Sequence, residues 1–222
     1  MSSEQHKKMA RRGESERGRA FAFGSFFLLF FVFLVCFAGS SFAQSNLDSL
    51  VQKIKSGSVE EKRDALFRIR NLRSEAASRI AVPALHDGSD IVRATAASSV
   101  IFLPKTEAAT ALIPLLSDKS DFVRKESAFA LGEVGSDSAT EQLIQALQKD
   151  KVFEVRTAVA VALGKIGDAR AVDPLLKILQ KKPTEADEFL RRCAARSVGQ
   201  IAQIIDTSRT RVMTPQNFLA DQ

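Results

Sequence analysis

The chain has 222 residues and a formal net charge of +6, from 32 Lys and Arg against 26 Asp and Glu, and it contains two His, two Cys and no Trp or Tyr. A zinc site usually needs several His or Cys ligands, and a serine or cysteine nucleophile needs a nearby base, so this composition argues against both and predicts a non-enzyme with no catalytic residue, metal or cofactor. The absence of Trp and Tyr and the modest charge also argue against nucleic-acid binding.

Residues 1–43 have the pattern of an export signal. A basic segment ends at Arg19, no charged residue follows before Asp48, and Ser41-Phe42-Ala43 supplies a small-x-small pattern. This order is typical of a secretory signal peptide, which predicts cleavage between Ala43 and Gln44 and a periplasmic or secreted protein. Because the apolar stretch approaches the ~18 residues that can span a bilayer, the alternative is an uncleaved anchor in the inner membrane through residues 20–38. Translation from Met9 would give a leader of more ordinary length.

Residues 44–57 are predicted to form an N-terminal capping helix. Leu47, Leu50, Val51 and Ile54 recur at helical spacing and make one apolar stripe. An array of repeats needs such a cap, because its first unit would otherwise leave an apolar face open to water.

From residue 58 the sequence repeats. An arginine returns at intervals of 30 to 35 residues, with small or apolar residues three, four and seven places after it in most units and a leucine about twenty places further on. These arginines are Arg63, Arg93, Arg124, Arg156 and Arg191. The period and the helical spacing predict an all-α fold: a right-handed α-solenoid of about five helix pairs over residues 58–206.

Prolines and glycines refine this prediction. Pro174 fits a first helical turn, whereas Pro83 and Pro114 fall later in their units and predict second helices that are kinked or start late. Gly132, Gly164 and Gly199, eight places after their arginines, let neighbouring helices lie close together.

The segment from Glu154-Val155-Arg156 through Leu163-Gly164-Lys165-Ile166-Gly167-Asp168 to Pro174-Leu175-Leu176 spans nearly a whole unit. It resembles HEAT repeats, especially the short HEAT-like units of the bilin (phycobiliprotein) lyases, and the resemblance extends over roughly residues 58–205. It implies a ladder between units, in which each repeated arginine bridges a neighbour's carboxylate or a helix end. The predicted carboxylates are Asp87, Asp118, Asp150 and Glu185. An arginine column that binds an anionic ligand is the less favoured alternative.

The function predicted is a scaffold that binds a protein or peptide on the concave surface of the second helices and acts as a monomer. It would meet a membrane only if the leader is uncleaved. The contact residues predicted from helix geometry are Arg79, His86, Thr110, Glu141, Gln145, Gln148, Asp173, Lys177 and Gln180.

Two other possibilities stay open. The resemblance implies a lyase-like alternative, in which the protein attaches or chaperones a tetrapyrrole, although export argues against it. Residues 207–222 are predicted to be either a loose tail or, through Val212, Met213, Phe218 and Leu219, a strap over the last unit.

Overall fold

A computed structural model describes residues 47–180, 182, 184 and 187–212, with side chains up to Thr207. The leader, the cleavage pair Ala43 and Gln44, the ladder residue Glu185 and residues 213–222 lie outside this part of the chain. Within it, no helix combines the length and apolar character needed to cross a membrane.

The described residues form helices and no strand, which confirms the all-α repeat fold. The α-helices are α1 (47–56), α2 (Val59–Leu72), α3 (Glu75–Ala81), α4 (Asp90–Ser99), α5 (Lys105–Leu112), α6 (Asp121–Val134), α7 (Thr140–Lys149), α8 (Phe153–Ile166), α9 (Val172–Gln180) and α10 (Glu188–Val212). Short 3-10 turns occupy Val82–His86, Ile113–Ser117, Asp137–Ala139 and Ala169–Ala171.

Each unit pairs a first helix with a second one. The first helices α2, α4, α6, α8 and α10 pack one against the next. The second helix α3 packs on α2, whereas α5, α7 and α9 pack on the first helix of the following unit, α6, α8 and α10 respectively. In the last described unit, α10 is a single helix of 25 residues. This helix continues to Val212, so the predicted tail from residue 207 is helical over its first six positions.

The interior between the helices is aliphatic, as the spacing predicts. Ala96 and Ala97 on α4 and Val100 directly after it are fully buried, and Ser127, Ala128 and Leu131 are fully buried on α6. Gly132 shows how closely first helices approach, because a Cβ atom there would lie 2.8 Å from the Cα atom of Ala162. Small side chains therefore set the spacing between units.

Two second helices change character at a proline. The α-helical pattern of α3 ends at Ala81 and that of α5 at Leu112, and a 3-10 turn containing Pro83 or Pro114 continues each of them. Proline has no N–H to donate to the carbonyl four residues back, so the chain tightens at this point. The second helices are thus interrupted rather than delayed.

The two ends of the array differ. Leu50 and Ile54 of α1 are each 6% exposed, and Leu47 and Val51 are half-buried, so this helix buries part of its apolar stripe. On α10, by contrast, Ala195 is exposed and a Cβ atom at Gly199 would meet nothing within 4 Å. Gly199 is equivalent to Gly132, which packs against the first helix of the next unit. Among the described residues no helix covers Gly199.

Candidate partner-binding surface

All nine predicted contact residues are exposed on the second helices or on their 3-10 continuations. Arg79 lies on α3, His86 on the turn after it, and Thr110 on α5. The others lie on two helices, with Glu141, Gln145 and Gln148 on α7 and Asp173, Lys177 and Gln180 on α9.

Two of these residues already have partners within the chain. Arg79 donates to Glu75 at 2.7 Å and to Glu107 at 2.5 Å, and these hydrogen bonds, the one to Glu75 first, raise the pKa of its guanidinium. The Thr110 hydroxyl donates to the Thr106 carbonyl at 2.8 Å. Arg79 and Thr110 are therefore less available to a partner than the amides of α7.

A groove of about 650 Å³ lies between the Ile113–Ser117 turn and α7. Its apolar lining comes from Ile113, Pro114, Leu116 and Ala146, and it also includes Gln142, Gln145, Lys149 and Lys151. Gln145 is the one predicted contact residue among the side chains that line it. Pro114 was the signal in the sequence, because the interrupted helix places a short turn where a continuous helix would otherwise run.

One edge of the groove is formed by the inter-unit ladder. Arg93 donates from Nε and Nη2 to the Asp118 carboxylate, both at 2.8 Å, and from Nη1 to the carbonyls of Asp87 and Gly88 at 2.8 and 3.2 Å. Arg124 repeats the arrangement with Asp150 at 2.7 and 3.2 Å and with the Asp118 carbonyl at 2.9 Å. Each arginine thus ties its own helix start to the next unit.

The ladder carboxylates are also held from the backbone. Asp118 accepts the Ser120 N–H at 2.9 Å, and Asp150 accepts the Val152 N–H at 2.8 Å. The Arg93 hydrogen bonds lower the pKa of Asp118. For Asp150, burial alone would raise the pKa, but the hydrogen bonds from Arg124 and Val152 outweigh it and the pKa is lowered.

The first rung departs from the prediction. Lys62, not Arg63, contacts Asp87, at 2.7 Å, and the Arg63 side chain is exposed. Lys62 and Asp87 are 25 residues apart, the same separation as Arg93 and Asp118. Successive residues of a helix point about 100° apart, so only one of the two neighbouring cations can face the junction.

The last two repeated arginines donate to carbonyl groups near the ends of second helices. Arg156 donates to the Leu147 carbonyl at 3.3 Å, and Arg191 donates to the Ile178 carbonyl at 3.0 Å. The N–H groups of Arg93 and Arg124 are directed to carboxylate and carbonyl oxygens. This use of their donors argues against the anion-binding alternative for these two arginines.

In the part of the chain that the structure describes, no three His, Cys, Asp or Glu side chains come together at metal-binding distance.

Comparison with known proteins agrees with this geometry. Residues 109–199, from α5 into α10, match the family model described as HEAT repeats. No curated protein matches the chain. Among solved structures, a chain of the complex of CpcE and CpcF of phycocyanin lyase from Nostoc sp. PCC7120 is 22% identical, with 75% of this chain and 68% of that chain covered and a TM-score of 0.60.

An engineered protein is also similar, at 22% identity, with 79% of this chain and 90% of that chain covered and a TM-score of 0.50. Identities at this level show a shared fold and nothing about activity. The prediction of HEAT repeats is confirmed over residues 109–199, and the chain has an all-α solenoid fold similar to that of the chain from the CpcE and CpcF complex.

Proposed function

We propose that this protein is a non-catalytic scaffold that binds a protein or peptide partner on its second helices. The observation that carries the proposal is the groove at the Ile113–Ser117 turn, which combines an apolar lining with side-chain amides and ammonium groups. Peptide-binding grooves have this composition, since apolar contact gives affinity and a few polar groups fix the orientation.

The charges of the groove indicate what the partner carries. Asp118 is paired with Arg93, and Asp150 is paired with Arg124, within the ladder. Lys149 and Lys151 make no ion pair within the described chain, so they are the cations left to attract a ligand. The best fit is an extended acidic segment that places an apolar side chain against Pro114 and Ala146 and carboxylates near the two lysines.

The structural comparison supports a protein partner. The similar Nostoc chain comes from a complex of two proteins, CpcE and CpcF. By analogy, this chain binds a different protein while remaining a monomer on its own.

Affinity capture with charge-reversal variants tests the proposal. The chain is expressed with its own leader, purified through a C-terminal tag and used to capture partners that mass spectrometry identifies. Gln145→Glu combined with Lys149→Glu should abolish capture of the specific partner. Lys55→Glu, an exposed substitution on α1, should leave capture unchanged. A partner retained equally by both variants would show that this groove is not its binding site.

A second candidate function rests on the similarity to a phycocyanin lyase chain. Under this alternative the second helices hold a tetrapyrrole, and the protein attaches or chaperones it. Titration with a bilin or haem separates the two functions, because tetrapyrrole absorbance shifts on binding. A saturable shift that is lost in the Gln145→Glu and Lys149→Glu variant would replace the peptide proposal.

The location is a separate proposal that rests on the leader sequence. We infer a periplasmic or secreted protein, cleaved after Ala43, with the inner-membrane anchor through residues 20–38 as the alternative. Intact-mass measurement of the purified chain distinguishes them, since cleavage leaves Gln44 as the first residue.

A further inference from the structure

A trough crosses the first helices, on α2, α4 and α6 rather than on the surface proposed above. Two adjoining depressions of about 390 and 300 Å³ share Arg70, Ser98 and Glu126. Phe67 and Arg70 stand on the α2 wall, and Phe129 and Glu126 stand on the α6 wall.

The repeat itself explains the shape of this trough. Phe67, Ser98 and Phe129 are equivalent residues of three successive units, spaced 31 residues apart. The middle unit has a half-buried serine where its neighbours carry phenylalanines that are 61% and 37% exposed. Packed helices lie about 8–10 Å apart, so α2 and α6 leave a gap over α4 that one further helix, about 10 Å wide, would fill.

The walls carry opposite net charges. Arg63, Asp64 and Arg70 line the α2 side, and Glu126 and Glu133 line the α6 side. Arg70 makes no ion pair within the described chain, and the one ion pair of Glu126 is a long contact of 3.7 Å with its neighbour Lys125. No ion pair joins Arg70 to Glu126, although both line both depressions. The trough therefore has a cation without an ion pair, Arg70, on one side and a weakly paired anion, Glu126, on the other.

We propose that this trough binds an amphipathic helix of a partner protein. The helix presents an apolar stripe to Ser98 between the two phenylalanines, with acidic residues flanking the stripe toward Arg70 and basic residues flanking it toward Glu126. Aromatic side chains, phenylalanine among them, are enriched at protein interfaces relative to the rest of the surface. Helix-in-groove binding uses such a stripe with opposite flanks.

The test uses synthetic peptides, so it does not depend on identifying the natural partner. Three labelled helical peptides share one leucine and phenylalanine stripe and differ in its flanks: glutamate on one side and lysine on the other, glutamate on both, or lysine on both. Fluorescence anisotropy against the full chain should show the mixed peptide binding at least about fivefold more tightly than the other two. Phe67→Ala and Phe129→Ala should each weaken it about tenfold.

Charge substitution should increase the affinity for a different peptide. A misfolded variant would lose binding and could not gain it. Arg70→Glu makes both walls acidic, so the chain should then prefer the peptide with lysine on both flanks. Glu126→Lys places a cation on the α6 wall, where Glu133 is already paired with Lys165, and should favour the peptide with glutamate on both flanks. Arg68→Glu, an exposed substitution on the same helix α2 that does not line the trough, should leave the order of affinities unchanged.

Three outcomes would overturn the inference. Equal affinity for all three peptides would show that the charges of Arg70 and Glu126 do not contribute to peptide selection. Absence of saturable binding below about 1 mM would show that the trough does not bind a helix. Concentration-dependent self-association that Phe67→Ala abolishes would identify the occupant as a second copy of this chain.

Discussion

Replacing Asp118 with asparagine tests whether the inter-unit ladder stabilises the array. The substitution keeps the shape of the side chain and an oxygen that can accept the Ser120 N–H, and it removes the negative charge that two N–H groups of Arg93 contact at 2.8 Å. Asp118→Asn therefore removes the charge of one rung and one of its two hydrogen bonds with Arg93, while the side chain keeps its shape.

The magnitude follows from burial. The Arg93 and Asp118 side chains are 7% and 10% exposed, so water cannot solvate the guanidinium once its partner is neutral. Removing one partner of a buried pair costs about 3–5 kcal/mol. Because the Arg93 guanidinium keeps the carbonyls of Asp87 and Gly88, we expect the lower end, about 3 kcal/mol.

The assay is thermal and urea-induced unfolding followed by circular dichroism at 222 nm. A domain of this size loses about 2–4 °C in Tm per kcal/mol, so the Tm should fall by about 6–12 °C. Glu133→Gln is the matched control, because its ion pair with Lys165 has side chains 52% and 40% exposed and should contribute less than about 1 kcal/mol.

The stabilisation by Asp118 should also depend on pH, in a direction set by its lowered pKa. The folded pKa of Asp118 is lowered by Arg93, so its stabilisation is complete above the unfolded pKa of about 4 and is lost as the pH falls through the folded pKa. The stability difference between wild type and Asp118→Asn should therefore be constant near neutral pH and shrink below about pH 4. A loss no larger than that of Glu133→Gln, or a gap that does not shrink in acid, would refute a stabilising ladder.

Three further pairs of substitutions test the packing by the same unfolding assay. Gly132→Ala should destabilise the fold by about 1–2 kcal/mol, because the new Cβ atom would lie 2.8 Å from the Ala162 backbone. Gly199→Ala, where a Cβ atom would meet nothing within 4 Å, should stabilise the fold by about 0.5–1 kcal/mol. Equal effects of the two substitutions would contradict the close approach of the helices at Gly132. Lys62→Met should cost about 1–2 kcal/mol and Arg63→Met less than about 0.5 kcal/mol, and the reverse order would contradict the assignment of the first rung to Lys62. Ser99→Ala removes a buried hydroxyl that contacts the Leu66 carbonyl at 3.0 Å and should cost about 1 kcal/mol, while Ser98→Ala, half-exposed on the same helix, should be nearly neutral.

The repeat fold could be predicted because its signals are local and occur several times. The spacing of Ala96, Ala97 and Val100 after Arg93 recurs in the following units, and each occurrence independently indicates the same buried face. The first unit shows how such a prediction fails. Aligning it on Arg63 places the exposed Phe67 at a core position, whereas aligning it on Lys62 places Ala65, Leu66 and Ile69 there, all at most 1% exposed. The apolar triplet was the better guide, because burial constrains it more tightly than a ladder contact that either cation could make.

The grooves were harder to predict, because they depend on distances between units rather than on periodicity within one. Gln145 was placed on the second-helix surface from its position alone, but Lys149 and Lys151 join it only through the way α7 ends beside the Ile113–Ser117 turn. The trough on the first helices was missed entirely. Its signal was present in the sequence as a serine between two equivalent phenylalanines, but it could be recognised only once the first unit was aligned on Lys62.

The two surfaces suggest how such an array acquires specificity. The ladder and the small-residue contacts occupy certain positions in every unit, and changing them would separate the units. Other positions face solvent and are free to differ, as Asp64, Thr95 and Glu126 do at one position and Phe67, Ser98 and Phe129 do at another. A partner can then be recognised by how the free positions differ between neighbouring units, whereas a strictly uniform array would present the same surface at every step. On this argument, Ser98→Phe should fill the trough and abolish binding of the mixed peptide in the anisotropy assay, while the ladder contacts of Arg93 and Arg124 stay in place.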